Sequence, residues 1–194
     1  MLAETLLVLF STVALTVAAP AEVISARADS EIQPSAVLAH SLNWSFANYC
    51  NSPTSYSYIF RHVFDGLEYG QSVMFTFTYP AASAGKQCWL EFFHGEPNYI
   101  SDPNGVQIDV FRQWAPATCT GGSISNNRDT HLGRLNVPAA GKATWGSTYS
   151  SYLTTKGPCP APGTVEGLEL SAVGDNTAIT HPQGPGVGLR IMYA

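Results

Sequence analysis

The feature that most constrains this chain is a period-two alternation of apolar and polar side chains, repeated in short runs. Val73, Phe75, Phe77 and Tyr79 face one way and Ser72, Thr76 and Thr78 the other. Cys88, Leu90 and Phe92 alternate with Trp89, Glu91 and Phe93, and Val106, Ile108 and Val110 with Gln107 and Asp109. Val187, Leu189 and Ile191 alternate with Gly188, Arg190 and Met192. Weaker runs lie at 37–44, 58–64, 131–137, 141–145 and 164–172. Turn-forming clusters separate them: Asp65-Gly66, Ala84-Gly85-Lys86, Asp102-Pro103-Asn104-Gly105, Gly121-Gly122 and Gly174-Asp175-Asn176. No segment past the N-terminal region shows helical periodicity. The expectation is all-β: a single antiparallel β-sandwich, jelly-roll or Ig-like, of about eight to ten strands over residues 36–194.

The one long apolar run, Leu6 to Ala19, is about 14 residues, short of the roughly 20 that cross a bilayer as a helix. Small residues follow, Ala18-Ala19-Pro20-Ala21. Residues 1–21 therefore read as a secretory signal peptide, although Glu4 stands where a basic residue is usual. Cleavage is expected after Ala19 or Ala21, the latter preferred because it avoids a Pro just after the cut, with 22–35 as a flexible lead-in that has little to pack. The last eight residues alternate, so they read as a strand and not as a lipid-anchor tail. The expected mature protein is secreted, extracellular or wall-associated, and free of the membrane. At roughly 173 residues it buries about 70% of its unfolded surface, enough for one core.

Four cysteines, Cys50, Cys88, Cys119 and Cys159, lie after the leader, with no close metal-knuckle spacing. Two disulfides are expected, and spacing leaves all three connectivities open. Asn43-Trp44-Ser45 is a glycosylation acceptor.

Nucleic acid is an unsuitable partner: 9 basic against 14 acidic residues give a net charge of -5, with no basic stretch to track phosphates. Gly121-Gly122-Ser123-Ile124-Ser125 lacks the last glycine and the helix of a nucleophile elbow. His40, His62, His94, His131 and His181 are far apart, without metal-ligand spacing. Asp102-Pro103-Asn104-Gly105 and Gly174-Asp175-Asn176 are explained as turns without Ca²⁺. No catalytic residue, metal or cofactor is expected.

The sequence resembles one fungal family in three stretches. They are Val73 to Pro80 with Ala84-Gly85-Lys86-Gln87-Cys88-Trp89-Leu90-Glu91-Phe92; Gly157-Pro158-Cys159-Pro160 with Thr164 to Leu170 and Gly174-Asp175; and Pro185 to Ile191. These look like the But-two C-terminal domain over about 70–194. The resemblance implies a β-sandwich common in secreted fungal proteins, with no agreed molecular activity. It also implies a disulfide pairing. Cys88 and Cys159 both sit in the resembling stretches and are expected to bond, leaving Cys50 for Cys119.

Aromatic residues are the strongest functional signal. Trp44, Tyr56, Tyr58, Trp89, Trp114, Trp145, Tyr149 and Tyr152 exceed what a small core needs. Trp89 is out of phase with Cys88, Leu90 and Phe92, so it is expected outward beside Glu91; Tyr149 and Tyr152 fall in a polar loop. A sandwich with exposed rings suits sugar binding, and Trp89, Glu91, Asp109, Tyr149 and Tyr152 are the expected ligand-binding set for a cell-wall or host glycan. Two rival readings stand beside this non-catalytic one: a carbohydrate-active enzyme using Glu91 and Asp109 as paired carboxylates, and an effector recognising a host protein.

Overall fold

A computed structural model describes residues 30–42, 56–95, 98–120, 123–125 and 127–194. The expected leader at 1–21, Asn43, Trp44 and Cys50 lie outside the described residues. The fold is antiparallel throughout. Its strands are β1 (Ser30–Ile32), β2 (Ala36–Leu42), β3 (Tyr56–Phe64), β4 (Leu67–Thr78), β5 (Gln87–His94), β6 (Val106–Gln113), β7 (Cys119–Thr120), β8 (Ser123–Ile124), β9 (Arg128–Val137), β10 (Gly141–Lys142), β11 (Thr144–Thr148), β12 (Gly157–Pro158), β13 (Val165–Ala172), β14 (Asn176–Pro182) and β15 (Gly188–Tyr193). Those of five or more residues are β2–β6, β9, β11 and β13–β15, ten in all, matching the expected sandwich.

Two sheets enclose the core. The smaller runs β1-β15-β5-β10, with β12 also on β5. The larger runs β11-β9-β6-β13-β4-β3-β14, with β2 also on β4, and curls into a half-barrel. The curl is built into β4, which is too long for one partner. Its first half ladders with β3 and its second with β13, while β2 follows residues 70–76. A two-residue turn joins β3 to β4, with Asp65 at φ 51° and Gly66 at φ 74°, the twist-matched hairpin that Asp-Gly favours.

The alternation places the core as expected. Val73, Phe75, Phe77, Tyr79, Cys88, Leu90, Phe92, Ile108, Val110, Leu189 and Ile191 are all buried between the sheets. Part of the other face of the large sheet is covered too. The β7–β8 hairpin lays Ala117 and Ile124 on Leu38 and Met74. Gly167 lets this excursion approach: a Cβ there would lie 2.5 Å from Gln113 Oε1 and 2.9 Å from the Pro116 Cα.

Two departures from the expected layout matter. Ser30–Ile32, expected within the lead-in, is an edge strand on β15; Ile32 is buried and Glu31 accepts from the Gly186 N–H at 3.1 Å. Three residues are too few to show a period. Strand β14 is also absent from the sequence reading, because only Ile179 is a large apolar residue in it. It nonetheless pairs with β3 over seven positions, and Ile179 and His181 both point into the core.

The Cys88–Cys159 disulfide is present, with Cα atoms 4.9 Å apart, and carries β12 onto β5. Cys119 is a disulfide cysteine as well; its expected partner lies outside the described residues.

Candidate functional site

Strand β3 puts a row of rings on the outer side of the curl. Ile59 points into the core, so Tyr58, Phe60, His62 and Phe64 project the other way. The Tyr58 and Phe60 rings stack with centroids 4.9 Å apart, and those of His62 and Phe64 lie 6.4 Å apart and nearly parallel. Register brings Tyr69 of β4 opposite His62 on one side and Asn176 of β14 opposite it on the other. The segment 98–101 closes the far edge. Tyr99 N–H donates to Thr180 Oγ1 at 2.8 Å, Thr180 N–H returns to the Tyr99 carbonyl at 2.8 Å, and Ser101 N–H reaches the Ala178 carbonyl at 2.9 Å. These elements enclose an open groove of about 650 Å³ walled by Tyr58, Phe60, His62, Tyr69 and Tyr99. Tyr99 is 57% exposed and Phe64, beyond the groove on the same row, 67%. Burial, and then the neighbouring Tyr99 hydroxyl, push the Tyr58 phenol above its ordinary range.

Only Tyr58 of this groove stands among the sequence candidates. The readable signal is Tyr-x-Phe-x-His-x-Phe over 58–64; Tyr69 and Tyr99 reach the site only through the fold.

The five expected ligand residues fall in three places. Trp89 and Glu91 lie together on the outer face of the small sheet, as the alternation implies. Trp89, however, is not an open platform: it is buried, the Lys156 ammonium sits 3.9 Å from its ring centroid, and its indole N–H donates to Glu91 Oε1 at 2.9 Å. Glu91 also pairs with Lys142 and with Arg190 Nη2 at 3.3 Å. Burial opposes its ionisation, but these donors outweigh burial and hold the carboxyl below the ordinary range. A cleft of about 190 Å³ runs beside it, between Trp89, Trp145 and Lys156.

Asp109 and Tyr149 both adjoin His131 on the outer face of the large sheet. Asp109 takes the fork of Arg134 at 2.7 and 3.0 Å. The Tyr149 ring lies 4.6 Å from that of His131, which stacks at 4.4 Å on Phe111, itself capped by Arg128 at 4.1 Å. His131 Nε2 is 3.2 Å from Asp109 Oδ1 but off the hydrogen-bonding direction. Glu91 and Asp109 thus project from the outer faces of two different sheets with the core between them, each neutralised by arginine. They form no pair flanking a common cleft, which removes the arrangement a glycosidase would need from them.

Tyr152 is not a surface ring. It packs on the core and donates to Glu166 Oε2 at 2.6 Å. Tyr79 donates to the same oxygen at 2.8 Å and Arg112 Nε to the other at 2.9 Å. Burial, with the Glu166 carboxylate, raises both phenols far above their ordinary range. Sequence reasoning missed this because Leu153 anchors the loop: it takes the left-handed region at φ 56° and buries its side chain, swinging Tyr152 inward. Trp114, in contrast, is exposed at the base of the β7–β8 excursion.

Among the described residues, no group of three or more His, Cys, Asp or Glu side chains is gathered for a metal ion. No family model matches the chain, and no curated protein matches it.

Proposed function

We propose that the protein is a secreted, non-catalytic binding module that takes a cell-wall or host glycan in the groove along β3. The observation that carries this reading is the groove itself: five rings from three chain segments gathered on one face. Aromatic faces stack on the C–H faces of sugar rings, while hydroxyls on the rim recognise sugar hydroxyls. Tyr58, Tyr69, Tyr99 and Ser101 supply such hydroxyls. A rigid sheet holds the rings in place, so binding orders little of the protein. The Cys88–Cys159 bridge supports the extracellular part of the reading, since disulfides persist in oxidising compartments. Membership of the But-two C-terminal domain family is part of the same proposal and rests on the motifs at 73–92 and 157–191.

The test is retention on insoluble wall polysaccharides, wild type against Tyr99→Ala. The Tyr99 side chain is exposed and its bonds to β14 run through the backbone amide and carbonyl, so truncation leaves the fold intact. Retention lost in the variant supports the groove. Equal retention of both proteins, or retention of neither on any polysaccharide, refutes it.

A further inference from the structure

Taking the groove as a glycan site, we infer that its ligand is an uncharged oligosaccharide laid along β3, and that the groove discriminates against acidic glycans. Length is the first ground. Tyr58 to Phe64 is six residue steps, about 20 Å of strand, so the aromatic row is far longer than one sugar ring.

Charge is the second ground. Among the described residues bordering the groove, Arg61 is the permanent cation. A lone arginine in an aromatic groove would invite a uronate or a sulfate. Here the guanidinium is already engaged. Nε and Nη2 meet Glu68 at 3.0 and 3.3 Å, and Nη1 meets Asp175 at 2.8 Å. These three side chains sum to a formal charge of -1, and an incoming carboxylate would have to displace Glu68 or Asp175 to reach the guanidinium.

Hydrogen-bonding capacity is the third ground. Asn176, opposite His62 in the register, exposes an amide that offers a donor and an acceptor side by side, as adjacent sugar hydroxyls require. Burial pushes the Tyr58 phenol on the rim above its ordinary range, so it keeps its proton. Such groups both donate to and accept from sugar hydroxyls, whereas a carboxylate can only accept from them.

Calorimetric titration of the full chain tests this with three probes: a neutral glucose or N-acetylglucosamine hexamer, the corresponding monomer, and an oligogalacturonate of equal length. The expected order is neutral hexamer first, with the oligogalacturonate at least about tenfold weaker at low salt and the gap narrowing at high salt. The monomer should bind weakly or not at all. Glu68→Gln/Asp175→Asn, which leaves Arg61 without a charged partner, should improve oligogalacturonate binding relative to the neutral hexamer by about tenfold; Asp175→Asn alone should move it the same way by less. Oligogalacturonate bound as tightly as the neutral hexamer, or a monomer bound as tightly as either, overturns the inference while leaving a glycan groove standing. Binding of every probe unchanged by Tyr99→Ala overturns the groove reading, and this inference with it.

Discussion

Tyr152 donates its hydroxyl to Glu166 Oε2 at 2.6 Å, and the Tyr79 hydroxyl reaches the same oxygen from the end of the neighbouring strand β4 at 2.8 Å. Glu166 sits at the start of β13 with its side chain 2% exposed. A buried carboxylate survives there only because two phenols and Arg112 satisfy it. Glu166→Gln removes the charge that strengthens all three bonds and turns amide hydrogens toward donors. The expected cost is about 2–3 kcal/mol, from the worth of hydrogen bonds to charged groups. Urea unfolding should show a lower midpoint with an unchanged slope. A midpoint equal to wild type would mean the network contributes nothing net.

His181 lies in the core, 5.0 Å from the Phe92 ring and 6.2 Å from that of Phe75. Burial lowers its pKa to about 4. The folded chain therefore refuses a proton that the unfolded chain accepts between about pH 6.5 and 4. Stability is expected to fall as pH falls through that window, by at most about 3 kcal/mol from this group, and to stop responding to it below pH 4. His181→Phe removes the titration, so its unfolding midpoint should drop less than wild type between pH 7 and 4.5. Equal drops in the two proteins would count against the argument.

The Cys88–Cys159 bridge spans 71 residues of sequence. Chain-entropy reasoning assigns such a loop about 4 kcal/mol, through restriction of the unfolded state. Cys88→Ala/Cys159→Ala should lower thermal stability by a comparable amount. Leu90 and Phe92 stay in the core without the bridge, so the groove on β3 should keep its ligand below the new melting point. A double variant as stable as wild type would contradict the estimate.

Gly167 and Gly157 make a matched pair. A Cβ on Gly167 meets Gln113 and the Pro116 backbone, whereas one on Gly157 meets nothing within 4 Å. Gly167→Ala should cost about 1–3 kcal/mol by overpacking under the β7–β8 excursion. Gly157→Ala should be near neutral. Thermal melts of the two variants side by side decide it; equal shifts would mean that the excursion yields freely.

The alternation of Val73 to Tyr79, Cys88 to Phe93 and Val106 to Val110 determined by itself that the chain is an antiparallel sandwich and which side chains face inward. A strand offers only two faces, so parity along it is a local property and survives into the fold. What covers the outer faces is not local. Trp89 has the outward parity its neighbours imply, yet Lys156, from a loop some 67 positions later, roofs it over. The groove is hidden for a related reason. In Tyr58-Ile59-Phe60-Arg61-His62-Val63-Phe64 both faces carry apolar side chains, so the period does not say which row is core. That choice falls to β4, long enough to ladder with β3 and β13 in turn, and to β14, whose own sequence barely announces a strand. Pairing across more than a hundred residues bends the sheet, sends Ile59 inward and leaves the rings of β3, with Tyr99, facing the groove.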